Sequence, residues 1–250
     1  DEHQLTARRK MGSFGDPIDI SDLVMICQQK LLQRRLDRIE KIVWDLHTAG
    51  TFSVAGPMGS TLHTDTYDVQ AYTAPVAWST AATSTPMVDF RRVKLLGRGF
   101  SVDLGGAATA YMNQDTYNAL SLNTNAADIY GRRTQGLGTY NILWQINELL
   151  QGDDLPKIVI YDKGYRDDDN VFQLFIPANT VVVVGKRPAG QVVGQYVYTR
   201  NANNPDLGPG AYTRIIDNME RTIPRQLEVH DGHNGGPKLL FASAVVRMSV

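Results

Sequence analysis

The sequence has almost no cysteine, no long apolar run and almost no net charge. Cys27 is the only cysteine among 250 residues, which excludes an internal disulfide and a cysteine-rich zinc site. Such cysteine usage favours a reducing compartment. No run of 18 apolar residues occurs, so we expect no transmembrane helix. The formal net charge of −1 argues against a dedicated nucleic-acid binder, which would carry a basic excess.

The amino terminus also lacks an initiator methionine and an apolar signal core, since it begins Asp-Glu-His-Gln. We therefore expect the sequence to begin inside a longer gene product. Residues 1–20 are polar and carry Arg8, Arg9 and Lys10 ahead of several glycines and a proline. This composition is typical of an arm or loop.

A long amphipathic pattern follows the polar segment. Ser21 and Asp22 suit a helix N-cap, and apolar residues then recur at spacings of three and four. The apolar stripe comprises Leu32, Leu36, Ile39, Val43 and Leu46. It predicts one helix over 21–49, roughly 43 Å long at about 1.5 Å per residue. We expect the stripe to pack on a sheet; a coiled-coil dimer is the alternative, but fewer than four clean heptads support it.

The rest of the chain predicts short strands alternating with helices, and therefore an α/β or α+β fold with covered sheet faces. Predicted strands cover 51–54, 67–73, 108–112, 156–161 and 181–185. Predicted helices cover 87–96, 114–122 and 140–150. The segment 79–86, of low complexity, is a candidate boundary between subdomains. At the carboxyl terminus, 226–230 and 239–250 are expected to form a hairpin, in a sheet shared with strands of 51–73.

Side chains able to carry catalysis are sparse. Cys27 lies in the predicted helix, where a core or lateral thiol is expected. His230 and His233 superficially suggest a metal pair but have no third ligand nearby, and His47 suits the negative end of a helix. The acidic run 167–169 could hold calcium, but it lacks the required spacing, which favours a solvated turn.

One glycine-rich segment, 131–138, has the sequence Gly-Arg-Arg-Thr-Gln-Gly-Leu-Gly. No Gly-Lys-Ser/Thr follows, so it is not a nucleotide-binding loop, and the chain has no Gly-x-Ser-x-Gly motif. Arginines on an exposed loop, here Arg132 and Arg133, suit the recognition of carboxylates across a subunit interface. We therefore predict no catalytic, cofactor-binding or metal-binding residues, and a protein that assembles rather than an enzyme.

Four segments of the sequence, taken in their order along the chain, carry a resemblance to a known family. They are WDLHTAGTF at 44–52, Trp78-Ser79, FIPANTVVVVG at 175–185 and LLFASAVV at 239–246. Their order and spacing resemble those of the lambda-type major capsid proteins, the protein E family. The first resembles the end of that family's spine helix, the second the approach to its axial domain, and the last two its later strands. The resemblance extends from about residue 21 to the end of the chain.

The resemblance implies the Hong Kong 97-type capsid fold, an α+β fold with two domains. The peripheral domain, with the spine helix 21–49 and a long β-sheet, would comprise 21–79 and 222–250. The axial α/β domain would comprise 80–221, and residues 1–20 would be the returning limb of an extended loop or arm. The implied function is that of a major capsid protein, which self-assembles into the icosahedral shell around the double-stranded DNA of a tailed bacteriophage. The family offers no catalytic residues to carry over.

The implied main partner is a second copy of the chain, in pentamers and hexamers. Scaffold, portal and decoration proteins are further candidates, packaged DNA would be contacted non-specifically, and no membrane is involved. The implied location is the virion capsid, assembled in the host bacterial cytoplasm. The expected assembly contacts are Arg8, Arg9, Arg132, Arg133 and Leu36, with the loops 131–138 and 186–212. Two alternatives stay open: another self-assembling shell or tube protein, such as a nanocompartment or tail-tube subunit, and a monomeric hydrolase of unrecognised type.

Overall fold

The computed structural model describes residues 20–55, 60–124, 142–167, 169–187, 190–200, 208–217 and 227–250. The chain divides into two compact units, each built from both halves of the sequence. The first unit comprises Asp1–Glu40 and Tyr196–Gly236, and the second comprises Lys41–Gln195 and Pro237–Val250.

Helices and strands alternate along the chain, as expected for an α+β fold. The helices are α1 (Ile20–Ala49), α2 (Pro86–Leu96), α3 (Gln114–Ser121) and α4 (Ile142–Gly152), with a short 3₁₀ turn at Ala242–Ala244. The strands of the first half are β1 (Thr51–Ala55), β2 (Thr61–Thr66), β3 (Gln70–Thr73), β4 (Thr109–Met112) and β5 (Lys157–Ile160). The later strands are β6 (Gly164–Arg166), β7 (Phe172–Leu174), β8 (Thr180–Val184), β9 (Gly194–Tyr198), β10 (Ala211–Asp217), β11 (Leu227–His233), β12 (Gly235–Leu239) and β13 (Val245–Ser249).

The helix predicted over 21–49 is present as α1, which is 30 residues long. It ends at Gly50, whose φ of +72° is a left-handed conformation that favours glycine. The Gly50 amide donates to the Leu46 carbonyl at 3.0 Å. A Cβ at Gly50 would lie 2.9 Å from the Tyr67 carbonyl oxygen, so a larger residue does not fit. Arg247 donates to the Thr48 carbonyl at 3.3 Å, placing a cation at the negative end of the helix.

The predicted packing of the α1 stripe is wrong for its first half. Leu32 and Leu36 are 42% and 50% exposed, whereas the buried residues of the helix are Ile42 and Leu46. At 3.6 residues per turn, the pair Ile42 and Leu46 lies about 80° around the helix from Leu32 and Leu36. The buried face is therefore a different one, and the predicted stripe leaves a line of apolar side chains at the surface.

The second unit is built on a five-stranded mixed sheet in the order β3-β13-β8-β4-β5. β13 runs parallel to β3 and antiparallel to β8, and β4 runs antiparallel to β8 and parallel to β5. The central position of β8 accounts for its continuous apolar run, because a strand covered on both faces needs apolar side chains on both. Val181, Val182 and Val183 are fully buried.

Successive residues of β8 supply two separate cores, one on each face of the sheet. Val181 and Val183 pack with residues of α2, α3 and α4, among them Phe90, Leu120 and Leu150. Val182 packs on the other face in a second cluster. That second cluster contains Ile42, Leu46, Phe52, Leu239 and Val245. The carboxyl-terminal part of α1 therefore serves as the cover of one sheet face.

The expected carboxyl-terminal hairpin is wrong. β11 pairs instead with β10, in a continuous antiparallel register from Ala211↔His233 to Asp217↔Leu227. β12 pairs with β9, and a 3₁₀ turn then redirects the chain so that β13 enters between β3 and β8. The reason is burial: Val245, Val246 and Met248 are apolar on both faces, which suits an interior strand better than a solvated hairpin. The expected sheet shared with the 51–73 segment is found for β3, while β1 pairs with β2 in a separate ribbon.

The outer edge of the sheet at β5 is closed by a side chain of α4. Asn147 donates to the Ile158 carbonyl at 3.0 Å and accepts from the Ile158 amide at 2.7 Å. The side-chain amide thus occupies the backbone groups that a further strand would use, and it blunts an edge that could otherwise recruit another chain.

Candidate assembly surfaces

In the first unit, an ion pair ties α1 to the β10–β11 ribbon. Arg35 Nη1 lies 2.7 Å from Asp231 Oδ1, and the Asp231 side chain is only 5% exposed. Thr213 Oγ1 donates to the same oxygen at 2.9 Å. Asp231 Oδ2 is buried without a hydrogen-bond partner among the described residues. Because removal of one partner would leave a buried charge, this pair specifies how α1 and the ribbon meet.

The histidines of β11 do not form a metal pair. His230 and His233 are three residues apart on a strand, so their side chains leave it on opposite faces. His233 Nε2 lies 2.7 Å from the Tyr196 hydroxyl, and His230 Nε2 lies 3.0 Å from Glu228 Oε2. Burial, followed by the positive charges of Arg35 and Arg38, lowers the pKa of His233.

Two other candidate groups also have structural partners. His47 is hydrogen-bonded to the Val43 carbonyl at 2.6 Å. Burial lowers the pKa of His47, which disfavours the charged form that would suit the negative end of a helix. Asp167 accepts hydrogen bonds from the Val171 amide and the Gln173 side chain. These bonds, the one from Gln173 first, lower the Asp167 pKa. Asp167 therefore fastens the β6–β7 turn, in agreement with the solvated-turn interpretation.

The buried carboxylate of Asp89 is the strongest catalytic candidate by burial alone, being 1% exposed. It accepts from the Tyr72 hydroxyl at 2.7 Å and from Trp78 Nε1 at 3.0 Å. Its geometry is that of a brace between α2 and the 72–78 segment. Within the described ranges, no three histidine, cysteine or acidic side chains are grouped to hold a metal ion.

The surface of the first unit carries a line of exposed apolar side chains on α1. Met25, Leu32 and Leu36 are 52%, 42% and 50% exposed and follow one another at spacings of seven and four. Residues at these spacings share one side of a helix. Beside the line runs a groove of about 270 Å³ between α1 and the β10–β11 ribbon, lined by Met25, Gln28, Gln29, Leu32, Arg35, Thr213 and Asp231. An apolar line of this kind marks a protein-contact surface more often than a reactive site.

Two ribbons of the second unit also expose apolar residues. β2 pairs with β1 and with no other strand among the described residues, and its Leu62 is 67% exposed. On the β6–β7 ribbon, Val171 and Phe172 are 53% and 54% exposed. A ribbon with a free backbone edge is a template for pairing with another chain.

Of the five predicted contact residues, the structure places one. Leu36 lies on the exposed apolar line, while Arg8, Arg9, Arg132 and Arg133 lie outside the described residues. Much of the predicted 186–212 contact region is described, but the 131–138 loop is not. Cys27 is an exposed thiol on α1, not a core one. The ion pair of Arg35 with Asp231 joins residues 196 positions apart, and no local pattern in the sequence could have predicted it.

The fold is shared with a protein of phage origin. No protein-family model matches the chain, and no curated protein matches it. A solved structure described as the "putative capsid protein of prophage" of E. coli CFT073 superposes with a TM-score of 0.60, at 13% sequence identity. The superposition covers 88% of this chain and 66% of that protein, so the chain spans just under two thirds of its length. A phage-related protein of Bordetella bronchiseptica RB50 is a more distant neighbour, with a TM-score of 0.43, 11% identity, and coverage of 73% and 56% of the two chains.

The chain therefore has a phage capsid-like fold of mixed helix and sheet. In the described residues, no helix combines the length and the apolar character needed to span a bilayer.

Proposed function

We propose that the chain is a structural subunit of a tailed bacteriophage, namely its major capsid protein, and not an enzyme. In this proposal, copies of the chain assemble as pentamers and hexamers into an icosahedral shell around double-stranded DNA. The observation that carries the proposal is the fold shared with the prophage protein over 88% of this chain. The motifs from 44–52 to 239–246, which resemble the lambda-type capsid family, support it independently.

The proposal includes the Hong Kong 97-type layout. The helix α1 takes the part of the spine helix, and its length of 30 residues supports that assignment. The peripheral domain would comprise 21–79 and 222–250, and the axial domain 80–221. Scaffold, portal and decoration proteins are the further partners of such a shell, and the virion capsid is its location.

Exposed apolar side chains support the proposal that the chain functions by assembling with copies of itself. Met25, Leu32 and Leu36 in the first unit, and Leu62 and Phe172 in the second, offer apolar area that a free subunit leaves in water. Burying such area contributes about 25 cal/mol per Å². A closed shell multiplies modest contacts, because each subunit is held by several neighbours at once.

The substitution Leu36→Asp tests the contact role of the apolar line. Leu36 is half exposed, so the isolated chain should keep its stability to within about 1 kcal/mol. A charge at a subunit contact should nevertheless stop assembly, because it would be buried without a partner. Light scattering after size-exclusion chromatography measures the mass of the complete gene product and of the variant.

The control is Thr83→Asp, which places the same charge at an exposed polar residue outside the exposed apolar groups named above. The control should assemble like the parent protein. Normal particles from Leu36→Asp would contradict the contact role of the apolar line. A strictly monomeric parent protein would contradict the proposed function itself and favour the hydrolase alternative.

A further inference from the structure

A second face of α1 carries a row of basic side chains. Lys30, Arg34 and Arg38 recur every four residues and are all exposed. This spacing brings them onto one side of the helix, within a line about 12 Å long at about 1.5 Å per residue. By the same geometry, the row and the apolar line of Met25, Leu32 and Leu36 lie on different sides of the helix.

Two basic residues close to this row form ion pairs with carboxylates, whereas the three residues of the row do not form one within the described part of the chain. Arg35 is paired with Asp231, and Lys41 is paired with Asp45. Lys30, Arg34 and Arg38 have no ion-pair partner among the described residues. The carboxylate nearest in the helix, Asp37, accepts a hydrogen bond from Gln33 at 2.7 Å. Gln33 is uncharged, so Asp37 keeps its negative charge beside the row. The row still has three positive charges against this one carboxylate, on a chain whose net charge is −1.

We propose that this row, Lys30, Arg34 and Arg38, binds the phosphate backbone of duplex DNA. The inference deepens the proposed function, on which it rests, by naming where the packaged genome touches the subunit. A straight row of cations fits a regular polyanion, and about 12 Å of duplex presents roughly seven phosphate charges.

The proposed contact is with phosphate oxygens and not with base edges. Phosphate contacts position a protein on the duplex and carry no sequence information. Their affinity falls as the salt concentration rises. The interaction is therefore expected to be independent of DNA sequence and dependent on salt.

The test is the salt dependence of binding to a fluorescein-labelled 30-base-pair duplex of arbitrary sequence, followed by anisotropy. Three phosphate contacts contribute a slope of about −2.7 in log affinity against log salt, or about a 40-fold loss of affinity between 50 and 200 mM salt. The triple variant Lys30→Gln, Arg34→Gln, Arg38→Gln should lose that part of the slope. The charge-matched control Lys157→Gln, Lys186→Gln, Lys238→Gln, at exposed lysines of the second unit, should bind like the parent protein.

Each other outcome overturns the inference. These outcomes are an unchanged slope in the triple variant, an equal loss in the control, and no binding by the parent protein at 50 mM salt. Polyglutamate serves as a second probe: a triple variant that loses polyglutamate but keeps DNA would assign the row to an acidic protein instead. Light scattering on the same samples reports assembly separately, and the triple variant should still form particles. A failure of this contact is therefore distinguishable from a failure of the shell proposal.

Discussion

Removal of the Asp89 carboxylate should destabilise the second unit more than any loss of surface charge. Asp89 is 1% exposed and accepts hydrogen bonds from the Tyr72 hydroxyl and from Trp78 Nε1. In Asp89→Ala both donors lose their acceptor. The indole N–H of Trp78, itself 1% exposed, cannot find water without opening the core. The Tyr72 hydroxyl, by contrast, lies 3.4 Å from exposed Arg92 and can turn outwards.

The expected cost follows from these two environments. An orphaned buried donor costs about 1–3 kcal/mol, and hydrogen bonds to a charged group contribute about 1.5–3 kcal/mol each. Since the Tyr72 hydroxyl recovers part of its loss, we expect about 3 kcal/mol in total. For a chain of this size, about 2–4 °C of melting temperature is lost per kcal/mol, so Tm should fall by about 6–12 °C.

Thermal unfolding followed by circular dichroism measures the effect. Asp68→Ala removes an exposed carboxylate nearby in sequence and should stay within about 0.5 kcal/mol of the parent. Asp89→Asn should fall between the two, because an amide oxygen accepts one of the hydrogen bonds while its NH₂ group opposes the other donor. A fall in Tm of less than about 2 °C in Asp89→Ala would refute the claim that Asp89 stabilises the contact between α2 and the 72–78 segment.

Two further changes test the edge of the sheet and the burial of His233. Asn147→Leu removes the hydrogen bonds to the Ile158 amide and carbonyl. The free energy of unfolding should fall by about 2 kcal/mol in thermal unfolding, and aggregation should increase. Glu148→Leu, at the neighbouring exposed site, should have neither effect. Equal stability of these two variants would count against the role of Asn147. For His233 the folded pKa is lowered by burial, so the unfolded chain binds more protons below about pH 6.5 and stability should fall with acidification. His233→Gln should lack this part of the loss between pH 7.5 and 5.5 in urea unfolding, and an identical pH dependence in both proteins would contradict it.

The elements of the fold were largely predictable, because their determinants are local. The stop at Gly50 and the spacing of apolar residues predicted α1 to within one residue at its amino-terminal end. The four consecutive valines of β8 predicted a strand covered on both faces. Such signals depend on neighbours within a few positions of one another.

The sequence pattern does not predict which strands pair with each other or which side of a helix is buried. The apolar run at 239–250 is equally compatible with a hairpin and with an interior strand. It forms an interior strand because β13 pairs with both β3 and β8, which lie far away in the sequence. The stripe on α1 covers more than one side of the helix, and its apolarity does not say which part is buried. In the same way Leu36 was predicted as a contact, but the groove beside it depends on Thr213 and Asp231, which come from distant strands.

Imaging of the complete gene product by electron microscopy tests the central claim most directly. The account predicts closed, spherical particles of uniform size whose averaged images show icosahedral symmetry. Extended tubes would assign the chain to a tail or another tubular assembly, and the absence of any particle at concentrations where the protein is folded would contradict an assembling subunit altogether.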